Sequence, residues 1–264
     1  NLTPVTLELG GQSPTIIGDD FPLELAAARI ATGKLFNGGQ TCIAPDYVFV
    51  PRAKRDAFVA ALRADVAKRF PDAGELGDYT RVINAGQYRR LRGYLDDAAT
   101  RGLSVQTLLD VDAATSESER LLPPTVVLEP GDDAKVMQDE IFGPILPIIS
   151  YDRIDDVIAY INTHDRPLAL YVFDYDRSNV ERILTRCIAG GVTVNDALLQ
   201  FAASELPFGG VGPSGMGHYH AKEGFLNFSK LLPIVYQSRY TGFDFLLRPP
   251  YKGIADALVK FLSR

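Results

Sequence analysis

Cysteine is scarce in this 264-residue chain: Cys42 and Cys187 are the only two. A disulfide framework is therefore excluded, and two thiols so far apart offer no metal-ligand spacing. The scarcity favours a reducing compartment, with the cytoplasm as the expected location. Histidine numbers three. His218 and His220 have no neighbouring cysteine or paired acids, so a metal site is not expected, and His164 falls at the end of a helical segment, where a cation is favourable. Positive charge is also short, at 27 Lys+Arg against 33 Asp+Glu for a net charge of −6, which argues against a nucleic-acid footprint. No apolar run approaches the roughly 20 residues that span a bilayer. Missing too are a Walker A loop, a G-x-S-x-G elbow and an H-E-x-x-H pair, leaving a serine hydrolase without support. The opening residues, NLTPVTLELGG, lack an initiator Met and the charged-then-apolar pattern of a signal peptide. Either the chain is processed or it is the later part of something longer.

What is present reads as a globular α/β protein. The chain is 46% hydrophobic and 23% charged, and its length accommodates one large or two modest domains. Strand-like segments at 5–9, 15–18, 47–50, 105–109, 124–128, 145–150, 169–176 and 190–196 are separated by helical periodicities. The helices are expected at 23–36, 52–70, 84–101, 152–164 and around 178–188. Strand-then-helix alternation of this kind predicts a largely parallel sheet flanked by helices. The acidic stretch DVDAATSESE (110–119) reads as a surface loop. Past Asn195 the composition shifts to Gly, Pro and aromatics, followed by a helical AKEGFLNF, a long apolar strand LLPIVYQ (231–237) and a short amphipathic tail helix.

Two residues draw attention on chemical grounds. In FNGGQTCIAPDYVFV (36–50) the thiol of Cys42 stands on a glycine turn just before a strand. Backbone amides in such a turn lower a thiol pKa and hold an oxyanion, and paired glycines let a substrate approach the backbone closely. Against this stands a small buried hydrophobe, and composition leaves both readings open. Glu8 lies within the apolar VTLELGG. Facing inward it would have the raised pKa of a general base, and facing outward it would share a solvent face with Thr6. Cys187, on the same helical face as Ile183 and Leu184, reads as core. GVGPSG (210–215) matches G-x-G-x-x-G but follows ELPFG, contains Pro213 and has no acid about 20 residues on, so it is rejected as a dinucleotide loop.

Taken in order, the motifs resemble the aldehyde dehydrogenase superfamily over nearly the whole chain. VTLELGG resembles the general-base motif, with Glu8 as base, and FNGGQTC the nucleophile motif, with Cys42 as nucleophile. DEIFGP (139–144) resembles the third signature, which assigns Glu140 to the nicotinamide ribose and Phe142 to its ring, with Gly10 on the cofactor side. GGVTVND and LPFGGVGPSGMGHYH resemble later blocks in their class 3-like form. TCIAPDYVFVP and the ending YQSRY…LLRPPY are nearest the bacterial coniferyl-type members. The resemblance implies an NAD or NADP cofactor, an aldehyde substrate of aromatic, coniferyl type, oxidation through a cysteine thioester, and a homodimer. It further implies a catalytic domain over 1–215 and a C-terminal bridging and oligomerisation segment over 216–264. A Rossmann-like cofactor domain precedes the first motif in the family, so this sequence is expected to be a fragment that turns over weakly alone. A non-catalytic oligomerisation module is the rival reading. An acylating enzyme is a second rival, disfavoured because those relatives tend to lack the glutamate.

Overall fold

A computed structural model describes residues 2–71, 77–240, 249 and 253–263. Its centre is a seven-stranded sheet in the order β4-β5-β6-β3-β2-β7-β8. The strands are β2 (Ser13–Ile17), β3 (Pro45–Pro51), β4 (Ser104–Thr107), β5 (Thr125–Leu128), β6 (Ile145–Tyr151), β7 (Ala169–Phe173) and β8 (Gly191–Val194). Every neighbouring pair is parallel except β4 with β5. The expected parallel α/β architecture is therefore present. Strands β2, β3 and β7 are buried at every residue, as a sheet covered on both faces requires.

Alternation along these strands sorts the core into two halves. Ile17, Val48, Val50, Tyr171 and Phe173 pack with Ala26, Ala27 and Ile30 of helix α1 (Leu23–Leu35) and with Phe58, Leu62 and Val66 of α2 (Arg55–Arg69). Ile16, Phe49, Leu170 and Val172 pack on the other side, with Tyr88, Leu91 and Leu95 of α3 (Ala85–Thr100). The same cluster takes in Ile158 and Ile161 of α5 (Ile154–Thr163), Ile183 of α6 (Arg177–Arg186), and Cys187. Asn84 caps α3 by accepting the Gln87 N–H at 2.9 Å.

Two segments differ from expectation. The acidic stretch forms a short helix, α4 (Ala113–Glu119), because the Asp112 carboxylate accepts the Thr115 N–H at 3.0 Å and starts it. The apolar 231–237 is not a strand. Leu231, Leu232, Ile234, Val235 and Tyr236 are exposed, Pro233 has no N–H to donate, and no neighbouring strand pairs with the segment among the described residues. By contacts the chain divides into residues 1–228 and 229–264. The expected tail helix is present as Gly253–Leu262, whereas most of LLRPPY lies outside the described residues. Among the described residues no helix is long and apolar enough to cross a membrane.

Candidate active site

Cys42 is placed by a turn that few residue types can make. Helix α1 ends at Phe36, and the 3-10 turn Phe36–Gly39 holds Asn37, Gly38 and Gly39 at φ 53°, 62° and 75°. Successive left-handed residues are tolerated by Gly and Asn and by little else. Gly39 is also pressed against the Gly143 carbonyl, where a Cβ would collide, so the thiol turn and the 139–144 loop meet backbone to backbone. Gln40 pins the turn from the other side, donating to Asn37 O at 3.0 Å and Arg81 O at 3.1 Å and accepting the Ile83 N–H at 2.9 Å. Cys42 is half-buried at the mouth of β3.

Glu8 arrives from a separate support. It lies in β1 (Leu7–Glu8), which pairs antiparallel with β9 (Gly215–Met216), Glu8 opposite Gly215, outside the large sheet. The Leu9 N–H donates to Ser214 O at 3.0 Å and continues this ribbon. GVGPSG thus forms a tight turn that backs the strand of Glu8, with a Gly212–Gly215 bridge and no helix directly after it. The Glu8 side chain is exposed, yet its charge acts on the Cys42 thiol, the Glu140 carboxyl and the Tyr219 phenol.

Glu140 is held by a clamp on its backbone. Arg90 of α3 donates to Ile141 O at 2.7 Å and Glu140 O at 3.4 Å, and Gln12 donates to Asp139 O at 2.9 Å. The Ile141 N–H donates to Asp46 Oδ2 at 3.2 Å, and Asp46 is itself paired with Lys34 at 3.5 Å, both almost fully buried. The Glu140 carboxylate packs on Gly10 (φ 81°), where an added Cβ would stand 2.6 Å from Oε2. Phe142 is left-handed at φ 49° and 41% exposed, its ring presented to the surface beside the thiol turn. A cleft of about 480 Å3 opens next to Glu140, lined by Leu9, Gly10, Gln12, Tyr47, Asp139 and His164 among others. Neither Cys42 nor Glu8 lines it.

The electrostatics correct one expectation. The amides of Cys42 and Ile43 do favour the thiolate, but burial and the charges of Glu8 and Glu140 outweigh them, and the thiol is pushed up to about 11. Glu140 is pushed up to about 7, first by burial; the Gly11 amide opposes this, and Asp46 and Glu8 add to it. A glycine turn alone therefore does not ionise this cysteine. Proton removal needs an acceptor, and the charges of two carboxylates, Glu8 and Glu140, are felt at the sulfur.

The surroundings of Glu140 fit a hydroxyl-bearing group. Glu140 Oε1 is buried without a hydrogen-bond partner among the described residues, an acceptor available to a hydroxyl, and the absence of a Cβ at Gly10 gives the carboxylate its room. Several functional positions were not singled out from sequence. Tyr219 has its phenol raised by burial and by the nearby charges of Glu8 and Cys42, and Arg90, Asp46 and Lys34 position the Glu140 loop. Among the described residues no group of three or more His, Cys, Asp or Glu could hold a metal ion.

Comparison with known proteins supplies the context. The family model described as the aldehyde dehydrogenase family matches residues 1–232. A probable coniferyl aldehyde dehydrogenase of Pseudomonas aeruginosa is 49% identical over 265 residues, covering 100% of this chain and 54% of that relative. Among solved structures, substrate-bound AldH of Staphylococcus aureus superposes with a TM-score of 0.87 at 37% identity, over 98% of this chain and 55% of that one. The NADP-dependent glyceraldehyde-3-phosphate dehydrogenase of Bacillus halodurans, complexed with NADP, gives 0.77 at 29% identity, over 87% of this chain and 47% of its own. The chain spans about half the length of the curated relatives it matches.

Proposed function

The chain belongs to the aldehyde dehydrogenase family, and on that premise we propose that it bears the thiol, base and ribose-binding carboxylate of an enzyme oxidising an aldehyde to its acid with NAD or NADP. The supporting observation is mutual electrostatic influence: Cys42, Glu8 and Glu140 come from three separate elements, and the charges of Glu8 and Glu140 raise the thiol while that of Glu8 also raises Glu140. Likeness to the Pseudomonas aeruginosa relative favours an aromatic aldehyde of coniferyl type. Residues 1–215 serve as the catalytic part and 216–264 as the bridging part of a cytoplasmic homodimer.

The chemistry follows from the groups present. The Cys42 thiol gives its proton to a carboxylate or to water, and its sulfur bonds to the aldehyde carbon. The carbonyl oxygen becomes an oxyanion facing the Cys42 amide. A bound nicotinamide would supply hydride acceptance here; Glu140 would hold its ribose and Phe142 would pack against its ring. The thioester on Cys42 is then attacked by a water whose proton goes to Glu8. The carbon–sulfur bond breaks, and the free acid leaves.

Ester hydrolysis isolates the nucleophile from the cofactor. With p-nitrophenyl acetate, this chain is expected to release p-nitrophenol and to acquire an acetyl group on Cys42 seen by mass spectrometry. Cys42→Ala is expected to abolish both. Unchanged hydrolysis by Cys42→Ala would refute the nucleophile assignment.

A further inference from the structure

Beneath the thiol turn lies a buried polar chain that the chemistry above does not use. Tyr171, at the middle of β7, is wholly buried, and its hydroxyl donates to the Ile43 carbonyl at 2.6 Å. The Gln200 side-chain amide, on helix α7 (Leu199–Ala202), donates to the Tyr171 hydroxyl at 3.2 Å. Thr193 of β8 donates its hydroxyl to Gln200 Oε1 and accepts the Gln200 N–H at 3.2 Å. All three side chains are less than one-tenth exposed. The loop that presents Gln200 is fastened in turn to α1, where Arg29 donates to the Asn195 carbonyl and stands 3.6 Å from the Asp196 carboxylate.

A phenylalanine would fill the Tyr171 site equally well, so the hydroxyl and its cost of burial need a reason. Its acceptor supplies one. Ile43 follows Cys42 directly, and the Ile43 and Cys42 amides are the groups that favour a charge on the sulfur. Fixing the Ile43 carbonyl fixes the orientation of that residue, including its N–H. Within the turn the closing bond is Ala44 N–H to Thr41 O at 2.9 Å, and the Tyr171 hydroxyl adds a tie to the Ile43 carbonyl from β7 of the central sheet.

We propose that Tyr171 is a positioning residue: its hydroxyl, braced by Gln200 and Thr193, holds the Ile43 carbonyl and so keeps the Ile43 amide aimed at the Cys42 sulfur. The inference rests on the reading of Cys42 as the nucleophile, and the experiment separates the two. Iodoacetamide labelling of the 264-residue chain is followed from about pH 7 to about 11, near the thiol's own titration, by peptide mass spectrometry, with buried Cys187 as internal reference. Tyr171→Phe is expected to slow Cys42 labelling roughly three- to tenfold at a fixed pH, the equivalent of one ordinary hydrogen bond lost, and to move its pH midpoint upward. Gln200→Met, which removes the brace and spares the tyrosine, is expected to act in the same direction and serves if Tyr171→Phe does not fold. A purely structural role would lower the melting temperature and leave the pH midpoint of Cys42 where it was. Labelling of Cys42 at the wild-type rate and midpoint in the folded variants overturns the positioning role and leaves the nucleophile intact. Wild-type Cys42 reacting no faster than Cys187 overturns the nucleophile, and the positioning role with it.

Discussion

Lys34→Met tests whether the Glu140 loop is anchored by a buried ion pair. Lys34 and Asp46 lie 3.5 Å apart with side chains 3% and 4% exposed, so neither charge is solvated by water. Removing the ammonium leaves the Asp46 carboxylate with one N–H, that of Ile141, as its hydrogen-bond donor. Breaking a buried pair in this way costs about 3–5 kcal/mol, a large share of the roughly 5–15 kcal/mol that holds a domain folded. The double variant Lys34→Met/Asp46→Asn removes both charges and keeps an oxygen for the Ile141 amide, so most of the loss is expected to return. The pH dependence has a definite sign. Burial already raises Asp46, and without Lys34 only the Ile141 amide and the charge of Arg90 are left to oppose it, so it rises further. Folded Lys34→Met then binds a proton that its unfolded chain has released, so its stability deficit shrinks as pH falls below neutral. Urea unfolding at several pH values reads all three quantities. A deficit below about 1 kcal/mol, the worth of an exposed pair, or a deficit indifferent to pH, would refute the anchoring argument.

Glu8→Gln removes a negative charge that raises the Cys42 thiol. Labelling of Cys42 at a fixed pH below 11 is expected to accelerate a few-fold while acetyl-enzyme breakdown slows, about one pH unit corresponding to tenfold in thiolate; slower labelling would contradict the proximity of the two groups. Glu140, raised to about 7, holds its proton in the folded chain after the unfolded chain has lost it, so its contribution to stability declines between about 4.5 and 7 as pH rises. Melting temperature against pH for Glu140→Gln is expected to be flatter over that window than for the wild type, and identical curves would count against burial of the carboxyl. Gly10→Ala places a Cβ 2.6 Å from Glu140 Oε2 at φ 81°, and about 1–2 kcal/mol of destabilisation is expected from the left-handed backbone alone, measured by urea unfolding.

The layered fold was legible because its strands and helices keep simple periods. Residues such as Val48 and Val50 alternate cleanly with Tyr47 and Phe49, and Tyr88, Leu91 and Leu95 return at helical spacing. The turn that carries Cys42 and the approach of Glu140 to the segment after Glu8 were legible through short motifs whose glycines have a geometric task, as Gly39 and Gly10 show. What escaped were properties set by long-range encounter. Whether 231–237 is a strand depends on a pairing partner, which its apolar composition does not specify. The short helix at 113–119 depended on one cap, Asp112, hidden within an acidic run. The raised thiol depends first on burial and then on the charges of two carboxylates, one 34 residues before it and one far beyond it in the chain. Lys34 and Asp46 are unremarkable apart in sequence and acquire meaning as a pair only after α1 is laid against β3.

The sulfur of Cys42 and the carboxylate of Glu8 rest on different foundations. Cys42 is rooted in the seven-stranded sheet through β3, whereas Glu8 rides on the two-stranded ribbon tied to the glycine-rich turn at 210–216. Substitutions in that turn can shift the carboxylate while the footing of the thiol stays untouched. On the proposed reading, the fate of an acyl group once captured, release by water or transfer to another acceptor, would be open to adjustment from a peripheral hairpin, without rebuilding the protein's interior.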